Sequence, residues 1–317
     1  MTNSIIFGGT GFIGKHLADT LKINFINCDI LPTAENFQYC DVRNPINLEI
    51  DSSIGVIFNF SAVHTTPGHE YHEYFETNIR GAENICNFAR KNHINTIVFI
   101  SSIAPYGTWE DRMDEDSLPL PTSAYGTSKL VAEEVHKRWQ AEEKDKRKLI
   151  ILRPGIVFGK DEKGNFTRLF NALVKGRFMY PGRKDTRKSS IYVKDLVSLM
   201  IEMTKKEDPG CHLYNMAYTP NHTIEEICKS MTKVTDLSEP YILIPSRVLL
   251  SAANLINILS KLTGLSFNGI HPDRVKKLMV STDISGQKVI DKGYEYRYSL
   301  ESAIEDWYDD CNREGLF

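Results

Sequence analysis

The sequence contains few cysteines, and their spacing excludes two kinds of site. None of the six forms a CxxC pair, and no group of His and Cys residues has the spacing of zinc ligands, so we predict no metal site. Several lie inside apolar runs, which is typical of reduced, packed thiols in a reducing compartment. The six are Cys28, Cys40, Cys86, Cys211, Cys228 and Cys311.

The chain also lacks a basic tract and a leader-like N-terminus. Its net charge is −3, with 38 basic and 41 acidic residues, and no basic stripe stands out, so we expect no nucleic-acid partner. The N-terminus enters the apolar run Ile5-Ile6-Phe7 at once, without the basic and long apolar regions of a secretory signal. We therefore predict a cytoplasmic protein.

No apolar run has the length and purity of a membrane span. A spanning helix needs about 20 mostly apolar residues. The most apolar later stretch, residues 241–265, is interrupted by polar and basic residues that include Arg247 and Lys261. We interpret it as helices of a small lobe, which leaves a role at a membrane surface open. Internal repeats and low-complexity segments are also absent.

What the first 150 residues do contain is a regular alternation of apolar runs and helical patterns. With 317 residues, of which 41% are hydrophobic and 25% charged, the chain can bury a large core. Strands that alternate with helices indicate a parallel sheet covered on both faces, and right-handed crossovers favour a Rossmann-type, doubly wound α/β fold. The predicted strands are 4–7, 24–29, 56–60, 96–101 and 149–152, and the predicted helices are 12–21, 71–91 and 125–143.

The pattern changes after Arg153-Pro154, where glycine and proline punctuate a loop-rich stretch. We therefore predict a first domain over residues 1–160. A strand-then-helix pattern resumes at 191–203, so residues 189–203 are expected to return to that domain. The remainder of 161–317 is expected to form a smaller, mostly helical lobe that binds the substrate.

A glycine turn follows the first predicted strand directly. Gly8, Gly11 and Gly14 form G-x-x-G-x-x-G, with Phe12 and Ile13 opening the next helix. Glycine permits backbone conformations barred to other residues, and its missing side chain lets a pyrophosphate approach the helix N-terminus. The strand–turn–helix context is the one that a dinucleotide-binding turn requires, so we predict a dinucleotide cofactor here.

Two acidic positions refine the cofactor prediction. Asp29 ends the second predicted strand, where a carboxylate accepts hydrogen bonds from both ribose hydroxyls and repels a 2′-phosphate. This favours NAD over NADP. Asp41 and Val42 stand at the end of the next strand, where they can reach the adenine edge.

A reactive trio is predicted from Ser102, Tyr125 and Lys129. Tyr125 and Lys129 form Y-x-x-x-K, and this i, i+4 spacing places them on one face of a helix. A nearby ammonium favours the phenolate, which makes Tyr125 a general base for a hydroxyl proton, while Lys129 can also hold the nicotinamide ribose. The pair Ser101-Ser102 ends a strand at the ligand edge of the sheet, where a serine hydroxyl can bind the same substrate oxygen.

With these motifs the chain resembles the extended short-chain dehydrogenase/reductases, in the branch of nucleotide-sugar epimerases and dehydratases typified by UDP-galactose 4-epimerase. The resemblance covers nearly the whole chain and is strongest over residues 4–160. It rests on the glycine turn, on Tyr125 and Lys129, and on segments 41–43, 59–62, 101–107, 152–159 and 190–196. It implies that Ser102 supplies the catalytic hydroxyl, that Ser61 and Ala62 pass beside the cofactor, and that Asn78 is a helix residue buttressing the sheet at the cofactor site.

The chain departs from this pattern near the catalytic serine. Pro105 replaces the usual valine, and Ser102-Ile103-Ala104 stands where dehydratases carry Thr-Asp-Glu. Because no acid pair is present to protonate a leaving hydroxyl, 4,6-dehydration is not expected.

The substrate is expected to be a nucleotide-diphosphate sugar. A guanidinium fork suits phosphate oxygens, and basic residues recur between positions 168 and 188, although a solvated loop explains them equally well. Arg274 matches the family's diphosphate-binding arginine only loosely. A loop histidine after the strand 56–60 can face the sugar. The substrate candidates are His64, Asn165, Arg168, Arg187 and Arg274.

Three functions compete on this sequence. The first is an epimerase acting at C4 through a transient keto sugar, with NAD regenerated in each cycle. The second is an NAD(P)H-dependent 4-keto nucleotide-sugar reductase that uses the same trio. The third is a non-catalytic dinucleotide-binding protein, since a fold does not determine a function. Relatives also suggest a homodimer formed through helices 71–91 and 125–143.

Overall fold

The computed structural model describes residues 3–32, 36–64, 68–251 and 279–317. The strands are β1 (Asn3–Phe7), β2 (Phe25–Asp29), β3 (Phe37–Tyr39), β4 (Ile54–Asn59), β5 (Thr96–Ile100), β6 (Lys148–Pro154), β7 (Ile156–Phe158), β8 (Tyr180–Pro181), β9 (Arg187–Lys188), β10 (Ser190–Tyr192), β11 (Gly210–Met216), β12 (His222–Thr223) and β13 (Leu243–Ile244). The helices are α1 (Phe12–Leu21), α2 (Tyr71–Tyr74), α3 (Gly81–Lys91), α4 (Ala124–Ala141), α5 (Asn165–Val174), α6 (Val193–Lys206), α7 (Ile224–Thr235), α8 (Gln287–Asp291) and α9 (Leu300–Asp310).

Seven strands form one parallel sheet in the order β11-β6-β5-β4-β1-β2-β3. The inner strands are short apolar runs because both of their faces are covered. Ile6 and Val98 point into a core shared with α1 and α6, and Ile5 and Ile97 point into a second core shared with α3 and α4. The predicted Rossmann-type fold is thereby confirmed, and the helix predicted at 12–21 has those bounds.

The strand order of the sheet reverses between β1 and β4. From β1 the chain moves outward through β2 and β3, then crosses back to β4 on the other side of β1. Where strand order reverses in this way, the loops after the two central strands separate and leave a crevice at their carboxyl ends. The glycine turn follows β1 and Ser61 follows β4, so both lie at this crevice.

The return of the chain to the sheet differs from the sequence prediction. Strand β10 pairs with β7 in a separate two-stranded sheet, and it is β11 that joins the central sheet beside β6. The sequence analysis did not predict β11, because this edge strand is only partly buried and carries His212 and Asn215 within its apolar residues. Helix α6, between the two strands, packs on the sheet next to α1.

The predicted helix 71–91 is a continuous helical segment with a change of winding inside it. Helix α2 passes into a π-helical turn, Phe75–Arg80, before α3 begins. A wider turn shifts the side chains that follow it around the helix axis, and such turns recur at functional sites. This one contains Asn78, which is buried.

An aromatic cluster packs helices α5 and α9 against the two-stranded sheet of β7 and β10. The ring of Phe158 on β7 stacks on Phe166 of α5 at 4.4 Å and also lies against Tyr192 and Trp307. All four side chains are buried. The cluster therefore packs residues from both sides of the predicted boundary at residue 160 against one another.

Helices capable of crossing a membrane are not found anywhere in the described part of the chain. All six cysteines fall in described segments and are free thiols, with Cys211 exposed and the other five buried.

We expect Phe158→Ala to lower the free energy of unfolding by about 3–5 kcal/mol, because truncation leaves a cavity among rings that cannot collapse to fill it. Urea unfolding measures the change. Leu118→Ala is the control, since Leu118 is 71% exposed and its truncation leaves no cavity. Equal effects of the two substitutions would show that the cluster does not stabilise the fold.

Candidate active site

The glycine turn fits closely against the end of β4. Gly8 has φ +79°, and a Cβ built on it would lie 2.7 Å from the backbone of Phe60 and Ser61. A Cβ on Gly14 would lie 2.6 Å from the Cα of Gly9. Gly11 caps α1 without a side chain, and the first turn of α1 contains no acidic residue. The N–H groups of this helix end are therefore accessible to an anion, as a pyrophosphate site requires.

Asp29 connects the glycine turn to the end of β2. Its Oδ2 accepts hydrogen bonds from the hydroxyl of Thr10 at 2.7 Å and from the Thr10 N–H at 3.1 Å. Its Oδ1 accepts from the N–H of Ile30 at 2.7 Å. Oδ1 also accepts from the Leu31 N–H at 3.3 Å. The carboxylate has about four acceptor positions and all are engaged, so a ribose hydroxyl in the place that the sequence predicts must displace one of these donors.

The adenine-side residues have local partners. The guanidinium of Arg43 holds Asp41 with Nε at 2.9 Å and Nη2 at 2.7 Å from its two oxygens. That interaction keeps the pKa of Asp41 below its usual range. Val42 is buried, and its carbonyl accepts from Asn84 Nδ2 at 2.7 Å.

Helix α4 begins next to Tyr125, the first member of the predicted pair. The N-cap residue Ser123 accepts a hydrogen bond from the N–H of Gly126 at 3.1 Å, which starts the helix one residue before Tyr125. The hydroxyl of Ser102, after β5, lies near the phenol of Tyr125, whose pKa it lowers, and accepts from the Ala104 N–H at 3.1 Å. The structure thus brings the predicted serine and tyrosine together.

Lys129 lies one turn further along α4 and is buried. Its Nζ donates to the carbonyl of Ile100 at 2.8 Å and lies 4.8 Å from the ring centroid of Phe99. Burial lowers the pKa of Lys129 to about 7, and the carboxylate of Glu133 opposes that change.

The expected acidification of Tyr125 by Lys129 is not found in this structure. Burial raises the pKa of Tyr125 to about 12, and the nearby hydroxyl of Ser102 acts in the opposite direction. The ammonium of Lys129 is directed at the Ile100 carbonyl, so removal of the phenol from water has the larger effect.

Asn78, predicted to buttress the sheet at the cofactor site, has its hydrogen-bond partners in the loop after β4 and in α4. Its Oδ1 accepts from the Val63 N–H at 2.9 Å, and its Nδ2 donates to the Val63 carbonyl at 3.1 Å. The same Nδ2 donates to Ser128 Oγ at 2.8 Å, and Ser128 in turn donates to the carbonyl of Tyr125. Asn78 therefore joins the loop after β4 to the first turn of α4.

A second polar chain joins α4 to the same loop. His136 Nδ1 lies 2.7 Å from the Ala132 carbonyl, and because a carbonyl only accepts, Nδ1 carries the proton. Nε2 then accepts from Asn59 Nδ2 at 3.3 Å, and Asn59 Oδ1 accepts from the Ser61 N–H at 3.1 Å. Burial lowers the pKa of His136 to about 4, so the imidazole is neutral at pH 7.

These features match a known family. Residues 4–217 match the model of the NAD dependent epimerase/dehydratase family. The chain belongs to this family. Its members are NAD-dependent enzymes, and NAD is accordingly the cofactor of this chain.

Two curated relatives are similar in sequence to this family member. N-acetyl-alpha-D-glucosaminyl-diphospho-ditrans,octacis-undecaprenol 4-epimerase of Escherichia coli O157:H7 is 27% identical over 309 residues, which cover 96% of this chain and 93% of that protein. UDP-glucose 4-epimerase of Vibrio cholerae is 27% identical over 227 residues, which cover 63% of this chain and 66% of that protein.

Solved structures of the same shape cover nearly the whole chain. MoeE5 in complex with UDP-glucuronic acid and NAD superposes with a TM-score of 0.73 at 19% identity, covering 98% of this chain and 99% of that one. UDP-N-acetylglucosamine 4-epimerase from Bacillus cereus superposes with a TM-score of 0.72 at 18% identity, covering 98% of this chain and all of that one. At these identities the likeness establishes the fold.

The predicted substrate residues of this family member do not form one group among the described residues. The pKa of His64 is lowered by desolvation and also by the charges of Lys129 and His69. The effect of Lys129 places His64 near the trio. Asn165 and Arg168 are exposed on α5, and none of the described contacts joins them to the trio. Arg187 donates to the Asn221 carbonyl at 2.6 Å. Arg274 lies outside the described residues.

Sequence reasoning missed the polar residues behind the trio. Glu133 and His136 follow Lys129 at helical spacing, four and seven residues on, which puts all three on one face of α4. That spacing was a usable signal. Their partners Asn59 and Arg153 come from β4 and β6, and only the folded sheet brings them to this face.

The neutral state of His136 predicts a pH dependence of stability. Its pKa is about 4 in the folded chain against 6.5 ordinarily, so between these values the unfolded chain binds a proton that the folded chain does not. The free energy of unfolding should therefore fall as pH decreases from 6.5 to 4, by up to about 3 kcal/mol. His136→Gln should remove this slope in urea unfolding measured from pH 8 to pH 4.

The exposed His72 supplies the matched control. His72→Gln should keep the slope of the unaltered chain. If His136→Gln keeps it as well, the buried neutral imidazole is not its source.

Proposed function

We propose that this chain is an NAD-dependent epimerase that inverts C4 of a sugar carried on a diphosphate. The observation that carries the proposal is the contact of Ser102 with Tyr125 at the carboxyl edge of β5, on a chain of the epimerase/dehydratase family. A 4-epimerase relative similar over 96% of the chain supports the choice of reaction.

The residues divide the chemistry between them. Tyr125 removes the proton of the sugar hydroxyl and later returns it, with Ser102 holding the same oxygen. Lys129 supplies a positive charge behind the phenol and a donor for the nicotinamide ribose. Bound NAD would supply the reversible hydride transfer at the sugar carbon.

The residues proposed to hold NAD fall along the crevice between β1 and β4. The glycine turn and the α1 N-terminus suit the pyrophosphate, and Asp29 suits the adenosine ribose, which favours NAD over NADP. The proposed cofactor set consists of Gly8, Gly11, Phe12, Ile13, Gly14, Asp29, Asp41, Val42, Ser61, Ala62, Tyr125 and Lys129, with Asn78 supporting it through Val63.

The carrier of the diphosphate has two candidates. A nucleoside is the carrier that the sequence resemblance implies, and solved structures of this fold include complexes with UDP-sugars. A polyprenol is the carrier in the name of the Escherichia coli relative. Exposed apolar residues Tyr241, Ile242 and Leu243 give the second carrier a surface to approach.

The reductase alternative uses the same trio and differs in where hydride comes from. An epimerase recovers its cofactor in each turnover, whereas a reductase consumes NAD(P)H. Dehydration is not proposed, because Ile103 and Ala104 offer no acid beside Ser102. A non-catalytic dinucleotide-binding role would leave the contact between Ser102 and Tyr125 without a use.

We expect purified enzyme to interconvert the C4 epimers without added NADH, with UDP-N-acetylglucosamine and polyprenyl-diphosphate N-acetylglucosamine tested in parallel. Tyr125→Phe should reduce kcat by at least about 10²-fold, because it removes the proton carrier, while NAD binding changes little. Tyr71→Phe, on an exposed ring, is the control. Strict dependence on added NAD(P)H would favour the reductase, and full activity of Tyr125→Phe would refute the mechanism.

Assembly is proposed from the helices that pack beside the site. Tyr71, Phe75 and Val131 expose apolar side chains on the α2–α3 segment and α4, and two copies packed through these helices would form a four-helix bundle. We propose a homodimer in the cytoplasm with residues 1–160 binding the cofactor and 161–317 the substrate.

Sedimentation measurements test the dimer. Val131→Glu should convert the dimer to a monomer, since it places a charge in each copy of the apolar surface, whereas Ile290→Glu, exposed on α8, should not. A monomeric wild-type chain would rule the dimer out.

A further inference from the structure

Behind Tyr125 lies a buried group of charges, of which the proposed reaction uses only Lys129. Glu133 and Lys129 are one turn apart on α4, and Arg153 faces them from β6. Their side chains have 0%, 2% and 2% exposure. Buried charges are costly unless paired, so this group must be held together by specific contacts.

Both oxygens of Glu133 are engaged. Arg153 grips the carboxylate with Nε at 2.9 Å from Oε1 and Nη2 at 2.6 Å from Oε2. The hydroxyl of Ser101 donates to Oε1 at 2.5 Å. Arg153 itself rests on the ring of Tyr106, with 4.7 Å between the guanidinium carbon and the ring centroid. The residue next to the catalytic Ser102 is thus tied to the helix that carries Tyr125.

The same carboxylate acts on Lys129. Burial favours the neutral amine, and Glu133 is the group whose charge favours the ammonium. The other titratable groups near Lys129 do not take that role. His64 and His136 both have lowered pKa values, partly because of the Lys129 charge, and burial raises that of Tyr125. Arg153 is a cation whose pKa is raised.

We infer that Glu133 is a positioning residue that holds the Ser101-Ser102 strand end against the catalytic helix and serves as the counter-charge that keeps Lys129 an ammonium. The inference rests on the proposed function, because that function gives the Lys129 charge its purpose. Without Glu133, two buried cations would remain. An arginine does not deprotonate in proteins, so the lysine would lose its proton.

The test is the titration of Lys129 in the intact protein by ¹⁵N NMR of its ζ-nitrogen, assigned by comparison with Lys129→Met. Glu133→Gln should move the midpoint down by at least one pH unit, a tenfold loss of proton affinity. Glu134→Gln is the matched control, since Glu134 is an exposed neighbour paired with Lys137. A folded Glu133→Gln protein with an unmoved midpoint overturns the inference.

Opposite shifts separate a counter-charge from a structural contact. Arg153→Met removes the other cation paired with Glu133, so the titration midpoint of Lys129 should move up. If Glu133→Gln does not fold, the direction of this shift tests the inference. A midpoint that stays or falls in Arg153→Met overturns the inference. Ser101→Ala should leave the midpoint in place and lower kcat, because it loosens the strand end without changing charge.

The titration needs no substrate, so its outcome is independent of the epimerase assay. An inactive wild-type enzyme with the expected shifts would refute the proposed function alone. An active wild-type enzyme whose Lys129 midpoint is unchanged by Glu133→Gln would refute this inference alone.

Discussion

The polar face of helix α4, buried against an apolar sheet, is the constraint on which the site depends. A helix in this position normally presents apolar side chains, yet α4 presents Lys129, Glu133 and His136. An unpaired buried polar group costs about 1–3 kcal/mol, so each must find a partner in the sheet. The partners are the carbonyl that ends β5, Arg153 on β6 and Asn59 on β4. Three strands thereby hold the helix in one register.

This register determines where the phenol lies. Tyr125 is in the first turn of α4, and a Cβ built on the next residue, Gly126, would lie 2.6 Å from the carbonyl of Ala104. The helix start therefore sits directly against the turn that follows Ser102. Two asparagines connect α4 to the loop after β4. Asn59 bonds to His136 and Ser61, and Asn78 bonds to Ser128 and Val63. The loop after β4 and helix α4 are therefore parts of one hydrogen-bonded unit.

Sequence and structure agree where local chemistry is sufficient and differ where pairing is distant. The strand–turn–helix of residues 3–21 could be read from an apolar run, three glycines and a helical period. Strand β11 could not, because it is an edge strand whose ladder partner β6 lies far away in sequence. The π-helical turn at Phe75–Arg80 could not be predicted either, because its residue pattern differs little from that of an α-helix. The contacts of Asn78 with Val63 and Ser128 form only in the folded chain.

The amino-acid sequence by itself determined the glycine turn, the Y-x-x-x-K pair and the alternating elements, because these depend on backbone freedom and on periods within a few residues. Tertiary structure alone decided that burial, and not the Lys129 charge, dominates the pKa of Tyr125, and that Asn78 supports a loop. Both depend on which groups lie close in space and on how much water they lose. Burial and distant pairing arise only when the whole sheet has formed, so neither is encoded in local spacing.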